Sequence, residues 1–213
     1  MLDSGTSGMF NTLGVPAHTG PFDVVVIGAS FGGPKVIERI LGELPRGFPV
    51  PAVICQHITA GMTGMWAERL NQTSKVRVRE ATNRSVLEVG CAYIAPAGLQ
   101  MRLERGPMTT GDRIRLDPDF ADSLHVPSID ILFSSAAKAF GPRVLAVLLT
   151  GMGSDGASGM LAIRQAGGYT IAESESTAAS YNMPGSAVAA GAVVQVLANE
   201  HIGARVIELG SHR

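Results

Sequence analysis

The sequence predicts an α/β fold: a doubly wound, mostly parallel sheet with helices on both faces and an antiparallel hairpin insertion. Three observations carry this. Short β-branched and aliphatic runs recur without polar alternation, as strands buried on both faces require. Segments of helical period separate them. Glycine-rich turns stand at the carboxyl ends of two of these runs, each opening a helical segment.

Taken in order, Val24-Val25-Val26-Ile27 is the first strand, ending at Gly28. Pro34 suits the first turn of the following helix, where its missing N–H costs nothing, and Val36, Ile37, Ile40 and Leu41 fall on one face. Residues 51–55 form the second strand, ending near Gln56-His57, and Met62 to Leu70 the second helix. Residues 76–79 read as a short exposed strand. Tyr93 to Leu99 followed by Met101 to Leu103 reads as a hairpin around a Pro/Gly turn, with 113–116 as a further antiparallel strand. Ser128 is placed to cap a helix running through Phe140. The remainder alternates again: strand 144–149, helix 156–165, strand 169–172, a short helix 184–190, strand 193–197 and a closing helix 201–209. Residues 1–21, rich in Gly, Ser, Thr and Pro, read as a flexible lead-in or linker, and 22–213 as one domain.

Composition narrows the function. Of the 213 residues only 16% are charged, where about 25% is usual, and the net charge is -1. No positive field of the size a polyanion needs is present, so neither nucleic-acid binding nor an electrostatic membrane anchor is expected. No apolar run approaches the ~18 residues of a spanning helix, and the amino terminus lacks the basic and apolar regions of a secretion signal. The two cysteines, Cys55 and Cys91, form no C-x-x-C and read as reduced thiols of a cytoplasmic protein.

Residues 28–33 read Gly-Ala-Ser-Phe-Gly-Gly, between a buried strand and a helix. A dinucleotide fingerprint would need glycine at Ser30 and an acid after the second strand, where Gln56-His57 stands instead. Gly28-x-Ser30-x-Gly32 also fits a nucleophile elbow, whose glycines permit a sharp turn that lifts the serine hydroxyl clear of the sheet. The plain alternative is a tight turn with Ser30 capping the helix. His57 ends the second apolar strand, and as a base it would lie within reach of Ser30 if the two strands are neighbours. The plain alternative there is a capping histidine. Leu149-Thr150-Gly151-Met152-Gly153-Ser154-Asp155-Gly156 follows another buried strand, and Asp155 either orients His57 or serves as a turn residue. Each of the three polar groups follows an apolar strand, where the catalytic groups of open α/β sheets gather.

The acidic loop Asp117-Pro118-Asp119-Phe120-Ala121-Asp122 lacks the glycine and terminal glutamate of a calcium loop and reads as solvated. No metal and no cofactor is called for. Met62, Met65 and Trp66 read as core or cleft wall, and Lys75, Arg77, Arg79 and Arg84 as a solvated strand face.

These segments in series (VVVIGASFGGPKVIERIL, ICQHITAGMTGMWAERLN, YIAPAGLQMRL, HVPSIDILFSSAAKAFGPRVLAVLLTGMGSDGASGM and SYNMPGSAVAAGAV) resemble the catalytic domain of CheB-type chemotaxis receptor methylesterases from about Asp23 to Leu197. The resemblance implies a serine hydrolase that demethylates glutamyl γ-methyl esters, and deamidates certain glutamines, on chemoreceptor cytoplasmic helices. It implies Ser30 as nucleophile, His57 as base and Asp155 as its partner, with Met152 near the site. The oxyanion and cleft residues expected beside them are Phe31, Gly32, Met152 and Gly153. Phe31 departs from the threonine usual after the family's serine, which bears on substrate preference or on the level of receptor esterase activity. Family members commonly carry an amino-terminal receiver domain. Only about twenty residues precede the first strand here, so the expectation is a catalytic fragment, or a stand-alone member with a separate regulatory or receiver protein. A non-chemotaxis substrate, an inactive scaffold and a nucleotide-binding regulator of the same fold are the alternatives.

Overall fold

The computed structural model describes residues 20–118 and 124–211. Seven parallel strands form one sheet in the order β3-β4-β2-β1-β7-β8-β9. They are β1 (Val24–Ala29), β2 (Ala52–Gln56), β3 (Arg77–Glu80), β4 (Cys91–Ile94), β7 (Val144–Leu148), β8 (Tyr169–Glu173) and β9 (Gln195–Leu197). β5 (Gln100–Glu104) and β6 (Arg113–Asp117) make a separate antiparallel pair. The helices are α1 (Gly33–Glu43), α2 (Thr63–Thr73), α3 (Ile129–Phe140), α4 (Ala157–Gln165), α5 (Asn182–Ala189) and α6 (Asn199–Ser211).

The sheet is buried on both faces because its strands carry apolar side chains at successive positions. In β1, Val25, Ile27 and Ala29 pack with α1, α2 and α6, whereas Val24 and Val26 pack with α3, α4, α5 and the hairpin. Both faces are thus covered, as the sequence predicts. On α1 the stripe Val36, Ile37, Ile40 and Leu41 is buried, each side chain contributing about 1.5–3 kcal/mol relative to solvent exposure.

One expectation is corrected. The hairpin does not include Tyr93: Cys91–Ile94 is a central parallel strand, pairing β2 on one side and β3 on the other. The antiparallel partners are Gln100–Glu104 and Arg113–Asp117. Pro96 and Gly98 lie in the loop that leads out of the sheet, not in a hairpin turn. All four residues of β4 are buried, which fits a two-sided core strand rather than a half-exposed hairpin arm.

The expected lead-in 1–21 falls outside the described residues as far as residue 19, and most of the acidic loop, 119–123, does as well. No helix among the described residues is long and apolar enough to cross a membrane. The crossover places β2 and β7 on opposite sides of β1. Their carboxyl ends therefore flank a topological switch point, where open α/β sheets hold their ligands.

Candidate active site

Ser30, His57 and Asp155 all emerge at this switch point. β1 and β2 are parallel neighbours with Ala29 opposite Gln56, so Ser30 and His57 each stand one residue beyond the last pair. The His57 N–H continues the ladder by donating to Ala29 O (3.0 Å). Asp155 lies in the loop that leaves β7, the other neighbour of β1.

The turn after β1 is not a serine-capped helix start. Gly32 is the N-cap of α1, at φ 83°, and no side chain caps the helix. A β-carbon at that φ is strained, which is why glycine stands there. Ser30 Oγ is left without a hydrogen bond among the described residues. Its backbone, by contrast, is held on three sides. Ser30 N–H donates to Thr150 O (3.0 Å), and Ser30 O accepts from Gly33 N–H (3.0 Å) and from Gln56 Nε2 (2.8 Å). Gln56 Nε2 also donates to His57 O (2.9 Å), so one buried amide joins the backbones of both residues. Gln56 stands where a dinucleotide site would place its ribose-binding acid, and its amide is already directed at Ser30.

Thr150 fastens the turn from the β7 side. Its hydroxyl donates to Phe31 O (2.9 Å) and accepts from Ser180 N–H (2.9 Å). Its N–H donates to Glu173 Oε2 (2.9 Å). Glu173 is fully buried, and its other oxygen accepts from Thr177 Oγ1 (3.0 Å) and Asn199 Nδ2 (3.1 Å). Gly151 then runs so close to the turn that an added β-carbon would lie 2.7 Å from Ser30 Cβ and press into Met183 Sδ. Gly151→Ala is therefore expected to lower stability by about 1–3 kcal/mol, the cost of overpacking. A reduced urea midpoint at unchanged m checks this.

His57 Nε2 lies 2.8 Å from Asp155 Oδ2. Both side chains are largely withdrawn from solvent, 14% and 6% exposed respectively. Asp155 is more than a turn residue, since it caps a different helix from the one it precedes. Its Oδ2 accepts from Ile129 N–H (2.8 Å), and its Oδ1 accepts from Asp130 N–H (2.9 Å) and Ser128 Oγ (3.0 Å). Asp130 returns the contact by accepting Gly159 N–H of α4 (2.7 Å). The two helices thus exchange carboxylates at their amino termini, a favourable place for negative charge.

Burial alone would raise the Asp155 pKa. Hydrogen bonds from His57 and from the Asp130 and Ile129 N–H groups outweigh it and hold the carboxyl below its ordinary value. For Asp130 burial prevails: it raises the pKa, as does the neighbouring Asp155 charge, although the Gly159 N–H opposes the shift.

The depressed Asp155 value has a consequence for stability. A carboxyl with a folded pKa below the unfolded ~3.9 stabilises the fold above that pH, and the contribution fades as pH falls through the folded value. Asp155→Asn, which cannot ionise, is therefore expected to be less stable than wild type by a constant margin from pH 7 to about 5. The margin narrows below about pH 4. Urea titrations between pH 7 and 3 measure it, and an equal margin at pH 3 contradicts the account.

The backbone donors expected beside Ser30 differ in whether they are already engaged. Gly33 N–H is consumed by Ser30 O. The N–H groups of Phe31, Gly32, Met152 and Gly153 donate to no acceptor among the described residues. The side chains of Phe31 and Met152 are 61% and 63% exposed. Trp66 enters the core, whereas Met62 and Met65 stay exposed. Arg77 and Arg79 both pair with Glu88 (2.7 and 2.9 Å). Cys55 and Cys91 are free thiols, both buried.

Two residues beside the site are not singled out by the sequence reading: Gln56, described above, and His125, whose ring stacks on that of His57 with centroids 4.3 Å apart and planes 17° from parallel. His57, His125 and Asp155 could each offer one ligand atom within a 4.8 Å span. They do not suit a metal ion. Stacked imidazoles direct their lone pairs side by side rather than toward a common point, and the Asp155 oxygens already accept four donors.

Comparison with known proteins agrees with the geometry. The CheB methylesterase family matches residues 25–206. A protein-glutamate methylesterase/protein-glutamine glutaminase of Geobacter sulfurreducens is 42% identical over 193 residues, covering 91% of this chain and 52% of that protein. One from Moorella thermoacetica is 41% identical over 195 residues, covering 92% and 46%. The chain thus spans about half the length of these relatives. The crystal structure of the Thermotoga maritima CheB methylesterase catalytic domain superposes with a TM-score of 0.84 at 34% identity, covering 89% of this chain and 100% of that one. With its sheet order and these matches in agreement, the chain belongs to the CheB methylesterase family.

Proposed function

We propose that the chain is a serine hydrolase that demethylates glutamyl γ-methyl esters on chemoreceptor cytoplasmic helices, working in the cytoplasm and releasing methanol. The observation that carries this reading is a tightly held serine backbone with an unengaged hydroxyl, next to a His57–Asp155 pair. The names of the relatives supply the substrate class.

Asp155 holds the ring through Nε2, which fixes the tautomer with the proton on that nitrogen and leaves Nδ1 as the base. Nδ1 takes the Ser30 proton as Oγ attacks the ester carbonyl. The charge that develops on the carbonyl oxygen meets the unused N–H groups of Phe31, Gly32, Met152 and Gly153, with the amino terminus of α1 behind them. Collapse of the tetrahedral intermediate breaks the bond to methoxide, which leaves as methanol with the proton from His57. Water then gives a proton to Nδ1 and attacks the glutamyl-serine ester. The proton returns to Ser30, and glutamate is released. Glutamine deamidation follows the same course with ammonia leaving. In the resting arrangement Ser30 Oγ is not yet bonded to His57, as is common before substrate binds.

The test is methanol release from a receptor cytoplasmic fragment bearing methyl-esterified glutamates, read by gas chromatography beside a chemically methylated unrelated protein. Release confined to the receptor supports the proposal. Equal rates on both proteins replace the receptor with a general protein ester, and no release above a Ser30→Ala control overturns the esterase reading.

A further inference from the structure

We propose that His125 is a positioning residue for His57: its imidazole lies flat over the His57 ring and holds that ring in the Asp155-paired orientation. The inference rests on the reading of His57 as the general base.

The His57 ring makes one hydrogen bond among the described residues, from Nε2 to Asp155. One hydrogen bond at one edge fixes a pivot but not a plane, and the last torsion of a histidine side chain is soft. A base must nevertheless present its lone pair along a narrow direction, because small misplacements are costly to proton transfer. The second constraint is the stacked face of His125, at 4.3 Å and 17°. It removes the freedom that the hydrogen bond leaves.

His125 is itself carried by a well-tied segment. Its carbonyl accepts from Gln100 Nε2 (2.9 Å), and Gln100 is fully buried. Gln100 Oε1 accepts from Ser128 N–H (2.8 Å), and Ser128 Oγ donates to Asp155 Oδ1. Gly98 N–H donates to Val126 O (3.2 Å). The segment that supplies the stacking ring is thus fastened to the same carboxylate that accepts the ring beneath it.

Three proteins decide the matter: wild type, His125→Ala and His125→Phe, the last keeping a flat ring without a titrating group. Steady-state methanol release is expected to show kcat reduced about three- to tenfold in His125→Ala, the range of a stacked pair. KM and melting temperature stay unchanged, and kcat in His125→Phe returns to within about twofold of wild type. Proton–nitrogen NMR of histidine-labelled protein supplies a readout that needs no substrate. The Nε2–H signal of His57, shifted downfield by Asp155, stays sharp in wild type and His125→Phe and broadens in His125→Ala. A sharp signal together with a wild-type kcat in His125→Ala overturns the inference, as does a Phe variant as slow as the Ala variant. If wild type releases no methanol above Ser30→Ala, the esterase reading fails, while the NMR comparison still judges the stacking.

Discussion

Ser30→Ala is expected to lower methyl-ester hydrolysis by on the order of 10^4–10^6-fold while leaving the protein folded. The two halves of that expectation rest on different features. The loss of activity follows from removing the hydroxyl proposed as the nucleophile. The preserved fold follows because Ser30 Oγ makes no hydrogen bond among the described residues, whereas the backbone of the turn is held by Thr150, Gly33 and Gln56 whatever the side chain is. Stability should therefore change by less than about 0.5 kcal/mol. Substrate binding should survive as well, since the unused N–H groups remain. Rate measurements paired with urea unfolding check both parts. A large loss of stability would mean that the hydroxyl is structural.

Asp155→Ala is expected to behave in the opposite way, losing both activity and stability. Four donors end on this carboxylate: the His57 ring, the Ser128 hydroxyl and the N–H groups of Ile129 and Asp130. Truncation leaves buried donors unpaired, among them the Ile129 and Asp130 N–H groups of the first turn of α3, a combined cost of about 3–5 kcal/mol. For a chain of this size that lowers the melting temperature by roughly 10 °C. Activity falls by about 10^3–10^4-fold because His57 loses its tautomer and its charge partner. Asp155→Asn separates the two roles. It keeps one acceptor oxygen for the helix and so restores part of the stability, while its NH2 group cannot take the place of the ionised oxygen, so activity stays low. Thermal melts and rates on the same preparations distinguish the variants.

The parts of the fold that follow from local pattern were legible in the sequence. Val24 to Ile27, Val144 to Leu149 and the α1 stripe declare themselves by side-chain type and period alone. Tyr93 to Leu99 resembles a hairpin arm because of Pro96 and Gly98, and only the neighbours β2 and β3 show that Tyr93 and Ile94 belong to the parallel sheet. The site divides in the same way. Ser30, His57 and Asp155 stand out because each is a polar residue beyond an apolar strand. What holds them does not stand out, because it depends on which distant segments meet. Nothing local tells that Gln56 reaches the Ser30 carbonyl, or that Asp155 caps α3 rather than α4. Glu173 did leave a signal, a carboxylate closing the apolar run from Tyr169 to Ala172. His125 leaves a weaker one, three residues before the serine that caps α3.

In the proposed mechanism Ser30 is activated by His57. A fluorophosphonate probe, followed by peptide mapping, reports that without any receptor. Wild type is expected to carry the adduct on Ser30, and His57→Ala to acquire it at least about 100-fold more slowly, the least a positioned general base supplies. An adduct on another residue, or equal labelling of Ser30 in the two proteins, would contradict the account.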